Sequence, residues 1–334
     1  MRARLISILS LVATVLWPAG HMVMARQDPP TFRGGINLVS LNVVVKDSRG
    51  RVIRDLAGRD FEVLDQGRAV RLTDFRVSDD PVSIAVLLDT SGSMSLGERL
   101  ECAKRAAERL FDQLRPVDEA GLFTFDQNLK TVVPFTADLR ALRKGLDAIK
   151  PFGSTALYDA TAAVARQLAN RHAARRAVVA ITDGFDTSSD LNAQAAASLA
   201  GSIDVPVYVL AVTPHIIKDE EYAPATVPAP ALLERIEGGG VARLDDLTAH
   251  TGGVSFAAEG QLETDLAVKQ ILTDLRTAYL MAFMPDPAPG WHAISVRVAR
   301  KNARVRTRAG FWMTAPAPLS VSSHSQRDEQ PRNR

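Results

Sequence analysis

The sequence predicts an α/β protein in which a doubly wound, mostly parallel, Rossmann-like β-sheet is flanked by a small β-sandwich formed from N- and C-terminal strands. Three observations support this prediction. Over residues 80–278, short apolar runs alternate with amphipathic helical segments, which is typical of a parallel sheet covered by helices on both faces. Residues 33–79 and 279–313 instead contain short alternating strands separated by turns. Because so few strands are marginal alone, we expect these two flanking segments to pair.

The composition is that of an ordinary globular protein. The chain has 334 residues, of which 46% are hydrophobic and 23% are charged, so a sizeable core and two or three domains are expected. The formal net charge of +2 is matched by Arg2 and Arg4, which lie in a segment that we expect to be removed. The remaining chain is close to neutral, which argues against a nucleic-acid or anionic-membrane partner.

Residues 1–25 are predicted to form a secretory signal peptide. Arg2 and Arg4 supply its charged start, residues 5–17 its apolar stretch, and residues 23–25 a small-residue cleavage site. The apolar stretch is too short to span a bilayer comfortably, and an uncleaved N-terminal anchor is the alternative. We therefore expect a secreted or periplasmic protein with no stable membrane span after cleavage.

The individual elements follow from the hydrophobic periodicity, taken in chain order. In the N-terminal segment, strands are predicted at 36–45, 61–64 and 69–77. In the central segment, strands are predicted at 82–88, 120–125, 131–135, 177–182 and 205–212, with helices along 96–114, 139–149, 156–170, 191–200, 243–250 and 262–277. In the C-terminal segment, strands are predicted at 279–284, 294–298 and 304–308, the last two as a hairpin with its arginines on a solvated face, before a disordered tail at 314–334.

Oxygen-bearing side chains follow the first strand of the central segment directly. Asp89, Ser91 and Ser93 alternate along the loop after the apolar run 84–88. Three short oxygen side chains turned inward from such a loop suit a small divalent cation such as Mg²⁺. The alternative is a turn and N-cap cluster, in which Asp89 and Ser91 satisfy backbone N–H groups of the following helix.

Two further segments place oxygen side chains at the same predicted edge of the sheet. Thr155 ends a Gly-Ser-Thr loop that opens a helix, and Asp183 follows the buried strand 177–182. Ligands of doubly wound sheets bind outside the carboxyl ends of the strands, where these side chains would meet the first loop.

Together, the three segments resemble the metal-ion-dependent adhesion site of the von Willebrand factor type A family. The resemblance implies that Ser91, Ser93 and Thr155 supply hydroxyl oxygens to the metal, while Asp89 and Asp183 reach it directly or through water. The metal would be Mg²⁺, or Mn²⁺ or Ca²⁺ in its place. More loosely, the chain resembles bacterial exported proteins in which a type A domain is flanked by β segments.

The chemistry of such a site indicates binding. If neutral hydroxyls and water surround the cation, it keeps much of its charge and one coordination position for an outside ligand. An Asp or Glu of a protein partner is the natural occupant. We therefore expect an exported, divalent-metal-dependent, adhesion-type protein-binding module rather than an enzyme.

The sequence lacks the patterns of several enzyme classes. It contains no G-x-S-x-G nucleophile motif, no zinc-type histidine spacing and no Walker or dinucleotide glycine pattern. Its only cysteine, Cys102, has no partner for an intramolecular disulfide and is expected to act as a small buried hydrophobe. The alternatives are an accessory or assembly factor of an enzyme complex, as type A domains are in ATP-driven chelatases, and a structural envelope protein that does not use the metal site.

A long connection at 214–240 is predicted to border the metal, because loops that follow parallel strands lie at the carboxyl edge of the sheet. It contains Asp219, Glu220 and Glu221, and one of these carboxylates could occupy the open coordination position. The alternative is a mobile, solvated loop. Nothing in the sequence indicates the oligomeric state.

Overall fold

The computed structural model describes residues 38–77, 79–171, 173–212, 244–258 and 260–313. The predicted signal peptide, the 214–240 connection and the 314–334 tail lie outside the described residues. The strands, in chain order, are β1 (Val39–Lys46), β2 (Phe61–Asp65), β3 (Arg68–Val70), β4 (Leu72–Arg76), β5 (Val82–Asp89), β6 (Glu119–Phe125), β7 (Leu129–Thr136), β8 (Arg175–Thr182), β9 (Val207–Ala211), β10 (Ser255–Ala257), β11 (Tyr279–Phe283), β12 (Gly290–Val298), β13 (Arg304–Arg306) and β14 (Gly310–Met313). The α-helices are α1 (Arg99–Asp112), α2 (Leu139–Asp147), α3 (Leu157–Ala169), α4 (Ala193–Ser202), α5 (Leu244–Thr251) and α6 (Gln261–Thr277).

The central sheet has six strands in the order β10-β9-β8-β5-β6-β7. Neighbouring strands are parallel except for β6 and β7, which are antiparallel. All eight residues of β5 are buried. A strand in the middle of such a sheet is covered on both faces, which explains why β5 is a continuous apolar run and does not alternate.

Helices cover both faces of this sheet. On one face, α1, α2 and α6 contribute to a core that includes Leu110 and Ile271. On the other face, α3, α4 and α5 contribute to a second core that includes Leu168 and Leu247. The prediction of a doubly wound, mostly parallel sheet is therefore confirmed, although the short edge strand β10 was not predicted. Within the described residues, no helix is both long and apolar enough to cross a membrane.

Strands from both ends of the chain form two four-stranded antiparallel sheets. Their orders are β13-β1-β11-β4 and β14-β12-β2-β3. The two sheets share one hydrophobic core, to which Leu41, Val63, Phe283 and Ile294 contribute. In the first sheet Val39 is paired with Phe283. Each sheet thus contains strands from both flanking segments, as the predicted sandwich requires.

Two strand assignments were wrong in detail. The stretch predicted as one strand at 69–77 is two strands, because β3 pairs with β2 in one sheet while β4 pairs with β11 in the other. The predicted hairpin of 294–298 and 304–308 does not form, because β12 pairs with β14 and β2, whereas β13 pairs with β1. Alternation identifies a half-buried strand, but it does not specify the sheet to which that strand belongs.

The arginines of the last strands are not all on a solvated face, which corrects a further expectation. Arg308 is only 3% exposed, and its guanidinium donates hydrogen bonds to the backbone oxygens of Gly201 in α4 and Ser40 in β1. Arg306 pairs with Asp274 of α6 at 2.6 Å, and Lys46 pairs with the same carboxylate at 2.8 Å. These residues join the sandwich to the helices of the central sheet.

Candidate metal site

Two of the predicted site residues lie at the carboxyl ends of neighbouring strands. Asp89 is the last residue of β5, and Asp183 comes directly after β8. These strands are paired in parallel, with Leu88 opposite Ile181, so both carboxylates reach the same edge of the sheet. Both residues are buried. Thr182 fixes Asp89 by donating from its Oγ1 to Asp89 Oδ2 at 2.6 Å.

The loop after β5 turns its hydroxyls towards one another. The backbone N–H of Ser91 donates to Asp89 Oδ1 at 2.8 Å, and Ser91 Oγ lies 3.0 Å from Ser93 Oγ. The loop continues as a 3₁₀ turn at Gly92–Ser95, and α1 begins only at Arg99. Asp89 and Ser91 therefore do not cap α1. The turn part of the alternative is consistent with the structure, because Ser91 precedes the 3₁₀ turn and Asp89 accepts from its backbone N–H.

A second loop, which carries Thr155, is hydrogen-bonded to the first. Gly92 N–H donates to the Gly153 carbonyl at 2.7 Å, and Phe152 N–H donates to the Thr90 carbonyl at 2.6 Å. Gly153 has φ +99°, a left-handed conformation that glycine adopts without strain. This turn leaves Thr155 buried beside the first loop, with an exposed fraction of 3%.

The loop after β8 is attached to both of the others. Thr187 N–H donates to the Thr155 carbonyl at 2.9 Å, and Thr187 Oγ1 accepts from Thr155 N–H at 3.1 Å. Arg99 Nη1 donates to Asp183 Oδ2 at 2.8 Å and to the Ser93 carbonyl at 3.3 Å. Direct hydrogen bonds thus join the second loop to each of the other two, and Arg99 links the first loop to the third. The structure brings the five predicted residues to one edge of the sheet.

Arg99 was not predicted as part of the site. Its side chain is 15% exposed and forms an ion pair with Asp183. It is also the first residue of α1, where the helix dipole disfavours a cation. A basic residue at that position indicates a specific acidic partner, and this signal could have identified Arg99 from the sequence.

Asp126 is a second residue that was not predicted. It follows β6 at the same edge and is buried. Its carboxylate accepts from Lys130 Nζ at 2.5 Å and from Asn128 N–H at 2.8 Å, while its backbone carbonyl accepts from Ala156 N–H at 2.8 Å. Asp126 therefore supports the second loop, and its own carboxylate is already paired.

The site contains two buried carboxylates, Asp89 and Asp183, whose negative charges are only partly offset by neighbouring hydrogen-bond donors and by Arg99. Burial, which is the largest cause, and the charge of Asp183 together raise the pKa of Asp89 to about 6, although the hydrogen bonds from Thr182 and Ser91 lower it. Asp183 Oδ1 is buried and has no hydrogen-bond partner within the part of the chain that the structure describes. A buried, unpaired carboxylate oxygen is costly, and a cation or a cation-bound water at this edge would satisfy it.

The donor set fits a hard divalent cation. In the described part of the chain, no three His, Cys, Asp or Glu side chains are grouped so that they could hold a metal ion. A metal at this edge would therefore depend on hydroxyl oxygens as well as on the two carboxylates. Ser91, Ser93 and Thr155 provide such oxygens, and oxygen ligands are those that Mg²⁺, Mn²⁺ and Ca²⁺ prefer.

Doubly wound sheets with hydroxyl and carboxylate side chains at the carboxyl ends of their strands are found in a class of binding domains. Residues 84–185 match the family model described as the von Willebrand factor type A domain. Residues 84–185 of the central α/β domain therefore belong to a von Willebrand factor type A domain. Type A domains are protein-interaction modules, generally without catalytic activity.

Among curated proteins, the chain is 32% identical over 88 residues to a UPF0353 protein of Mycolicibacterium paratuberculosis strain K-10, an alignment that covers 25% of this chain and 26% of that protein. The chain spans only 26% and 40% of the lengths of two curated relatives that it matches.

Solved structures with similarity to this chain include the conserved hypothetical protein BatB from Bacteroides thetaiotaomicron. The two chains are 24% identical with a TM-score of 0.45, over 59% of this chain and all 100% of that one. Another is proximal thread matrix protein 1 from the mussel byssus, with zinc in its metal-ion-dependent adhesion site. It is 13% identical with a TM-score of 0.45, over 63% of this chain and 48% of that one.

Proposed function

We propose that this chain is an exported, non-enzymatic binding protein whose type A domain grips a carboxylate of a protein partner through a divalent cation. Asp89, Ser91, Ser93, Thr155 and Asp183 would hold the cation, which we take to be Mg²⁺, with Mn²⁺ or Ca²⁺ as alternatives. The observation that carries the proposal is the buried Oδ1 of Asp183, which has no hydrogen-bond partner among the described residues, at an edge where two neighbouring loops place the hydroxyls of Ser91, Ser93 and Thr155.

The charge balance of the site residues favours an anionic ligand. Asp89 and Asp183 carry two negative charges when both are ionised, and Arg99 offsets one of them through its ion pair at 2.8 Å. The chain therefore does not fully neutralise a divalent cation. When bound, such a cation supplies a positive coordination position, and an Asp or Glu carboxylate from outside complements it.

Protein groups orient both carboxylates of the proposed site. Asp89 is oriented by Thr182 and by the backbone of Ser91, and Asp183 is oriented by Arg99. The domain itself rests on buried strands such as β5. Removal of the metal should therefore abolish binding of the partner while leaving the domain folded.

Mg²⁺ titration calorimetry on the full chain tests the metal site. Asp89→Ala removes a carboxylate at the centre of the site, and loss of such a group weakens metal binding roughly 10- to 100-fold. Asp190→Ala is the matched control, because Asp190 is an exposed carboxylate on the loop after β8. It should bind Mg²⁺ like the wild type, with circular dichroism confirming that both variants are folded. Equal Mg²⁺ affinity in Asp89→Ala and the wild type would contradict the proposal.

A pull-down with the tagged full chain, in Mg²⁺ and in EDTA, tests the partner. A specific protein should be retained in Mg²⁺ and released by EDTA, and Asp89→Ala should retain it poorly. Equal retention in EDTA would contradict metal dependence and would favour a structural role for the domain. The predicted contribution of Asp219, Glu220 and Glu221 concerns residues outside the described part of the chain.

A further inference from the structure

Two exposed apolar residues belong to the first and second loops of the candidate metal site. Phe152 has an exposed fraction of 80%, which is the highest among the large hydrophobic residues of the described chain, and Leu96 has 59%. Phe152 N–H donates to the carbonyl of Thr90, which lies between two predicted metal ligands, at 2.6 Å. Leu96 N–H donates to the carbonyl of Ser93, itself a predicted ligand, at 3.1 Å. Each residue is therefore one backbone hydrogen bond away from the Asp89–Ser93 motif.

The backbone that carries these side chains is fixed. The hydrogen bond between Gly92 N–H and the Gly153 carbonyl, at 2.7 Å, joins the two loops. A single exposed apolar residue is ordinary on a protein surface and needs no explanation. Phe152 and Leu96 differ because they belong to ordered loops that meet at a polar site. We call these two residues the apolar rim.

The charges near the apolar rim suit an acidic partner. The site residues leave a divalent cation only partly neutralised, because Arg99 already pairs with Asp183. Lys150 is exposed on the loop that carries Phe152. Glu98, close to Leu96 in sequence, lies 3.5 Å from Arg105, which partly offsets its charge. A ligand that brings a carboxylate to the site thus approaches loops that carry exposed apolar residues and an exposed lysine.

We propose that the partner presents its metal-binding Asp or Glu next to a large apolar side chain, which packs on the rim formed by Leu96 and Phe152. This inference rests on the proposed function, and it adds the chemistry of the partner. The carboxylate provides the contact to the metal, while the apolar neighbour provides selectivity among acidic segments. An acidic segment without an apolar neighbour binds more weakly.

The test is selection from a random displayed-peptide library on the full chain in Mg²⁺, with elution by EDTA. Wild-type protein should enrich peptides in which Asp or Glu lies beside Leu, Ile, Phe, Tyr or Trp. A Leu96→Ser, Phe152→Ser double variant should still enrich the acidic residue but lose the apolar preference. Enrichment of acidic residues alone by the wild type, or an undiminished apolar preference in the double variant, would overturn the inference.

Affinity measurements with one selected peptide make the test quantitative. The double variant should bind that peptide about 10-fold more weakly, since burial of one large apolar side chain is worth about one order of magnitude in affinity or more. Its Mg²⁺ affinity should equal that of the wild type. Leu262→Ser is the matched control, because Leu262 is an equally apolar residue in α6 with an exposed fraction of 63%. It should bind the peptide normally, and an equal loss in this control would overturn the inference.

Two further outcomes separate the possible failures. If Asp89→Ala enriches the same peptides in Mg²⁺ as the wild type does, the proposed function fails, and the apolar rim loses its basis with it. If instead the rim covers a second copy of this chain, sedimentation will show a dimer of the wild type and a monomer of the double variant. That result would replace the acidic partner with self-association and would contradict the inference.

Discussion

Arg99 determines how much negative charge the site residues offer to a cation. Its Nη1 donates to one oxygen of Asp183 at 2.8 Å, and the other oxygen is buried with no partner among the described residues. The guanidinium therefore competes with a metal for Asp183 and also holds this carboxylate in place. If competition is the larger effect, the natural site binds its metal less tightly than two ionised carboxylates would allow.

Arg99→Met should therefore strengthen Mg²⁺ binding about 10-fold, because it removes a positive charge that lies 2.8 Å from Asp183 Oδ2 and would repel a cation held by that carboxylate. Arg99→Lys keeps the charge and should change the Mg²⁺ affinity much less. Titration calorimetry of both variants measures the effect. Weaker binding in Arg99→Met would show that Arg99 acts mainly by positioning Asp183.

His292 gives the sandwich a pH-dependent contribution to stability. It is fully buried, with Nδ1 2.9 Å from Asp65 Oδ1 and Nε2 2.7 Å from the Ala288 carbonyl. Both neighbours are acceptors when Asp65 is ionised, so only the doubly protonated ring donates to both. Burial lowers the pKa of His292, but the hydrogen bond to Ala288 and the bond and charge of Asp65 outweigh it, so the pKa is raised above 6.5.

A group whose pKa is raised on folding stabilises the fold fully below its unfolded pKa, and loses this effect as the pH rises through its folded pKa. The free energy of unfolding of the wild type should therefore exceed that of His292→Gln by a constant amount below about pH 6.5. The difference should shrink at higher pH. Urea denaturation of both proteins between pH 5 and 9 measures it, and a difference independent of pH would contradict this role for His292.

At the scale of elements, the sequence predicts which segments are strands better than it predicts where they pair. The carboxylates Asp89 and Asp183 could be assigned to one edge because parallel strands place their carboxyl ends together. The burial of Arg308 could not be predicted from the sequence. Apolar and basic residues alternate in the same way on a strand whose arginines face solvent and on a strand whose arginine is buried between two domains. Only the tertiary structure shows that Arg308 reaches α4 and β1.

Arg308→Met should destabilise the protein by about 3–5 kcal/mol, because it leaves buried polar groups without their partner. These are the Gly201 and Ser40 carbonyls and the Asp204 carboxylate, whose Oδ1 lies 3.9 Å from Arg308 Nε. Arg297→Met is the matched control, since the side chain of Arg297 is 71% exposed. It should change the free energy of unfolding by less than about 0.5 kcal/mol. Equal effects of the two substitutions in urea denaturation would contradict a junction role for Arg308.

At the scale of the whole molecule, the chain forms half of a sandwich, then the type A domain, and then the other half. Arg175 stabilises the junction at which the chain leaves the type A domain and returns to the sandwich. It is buried and donates to the carbonyls of Leu275 and Ala278 at 2.5 and 3.1 Å. These carbonyls lie at the end of α6 and just before β11. These hydrogen bonds hold the backbone in place where α6 ends and β11 begins. The domain boundaries at 80 and 278 stay a prediction.

Deletion of residues 279–313 tests those boundaries. It removes β11, which pairs with both β1 and β4, and β12, which pairs with β2. The N-terminal strands that remain are too few to bury a core of their own. We expect proteases to cut between residues 38 and 77, while the described stretches 80–171, 173–212, 244–258 and 260–278 stay resistant and the truncated chain keeps the Mg²⁺ affinity of the full chain.

The control is a chain that ends at Met313, the last residue of β14, and so keeps every strand of the sandwich. Limited proteolysis followed by mass spectrometry should leave its N-terminal segment intact. Protection of that segment in the 279–313 deletion would mean that β1 to β4 fold without C-terminal partners. Degradation of the described stretches 80–171, 173–212, 244–258 and 260–278 in the same deletion would mean that the type A domain depends on the sandwich, through contacts such as that of Arg308 with the Gly201 carbonyl of α4.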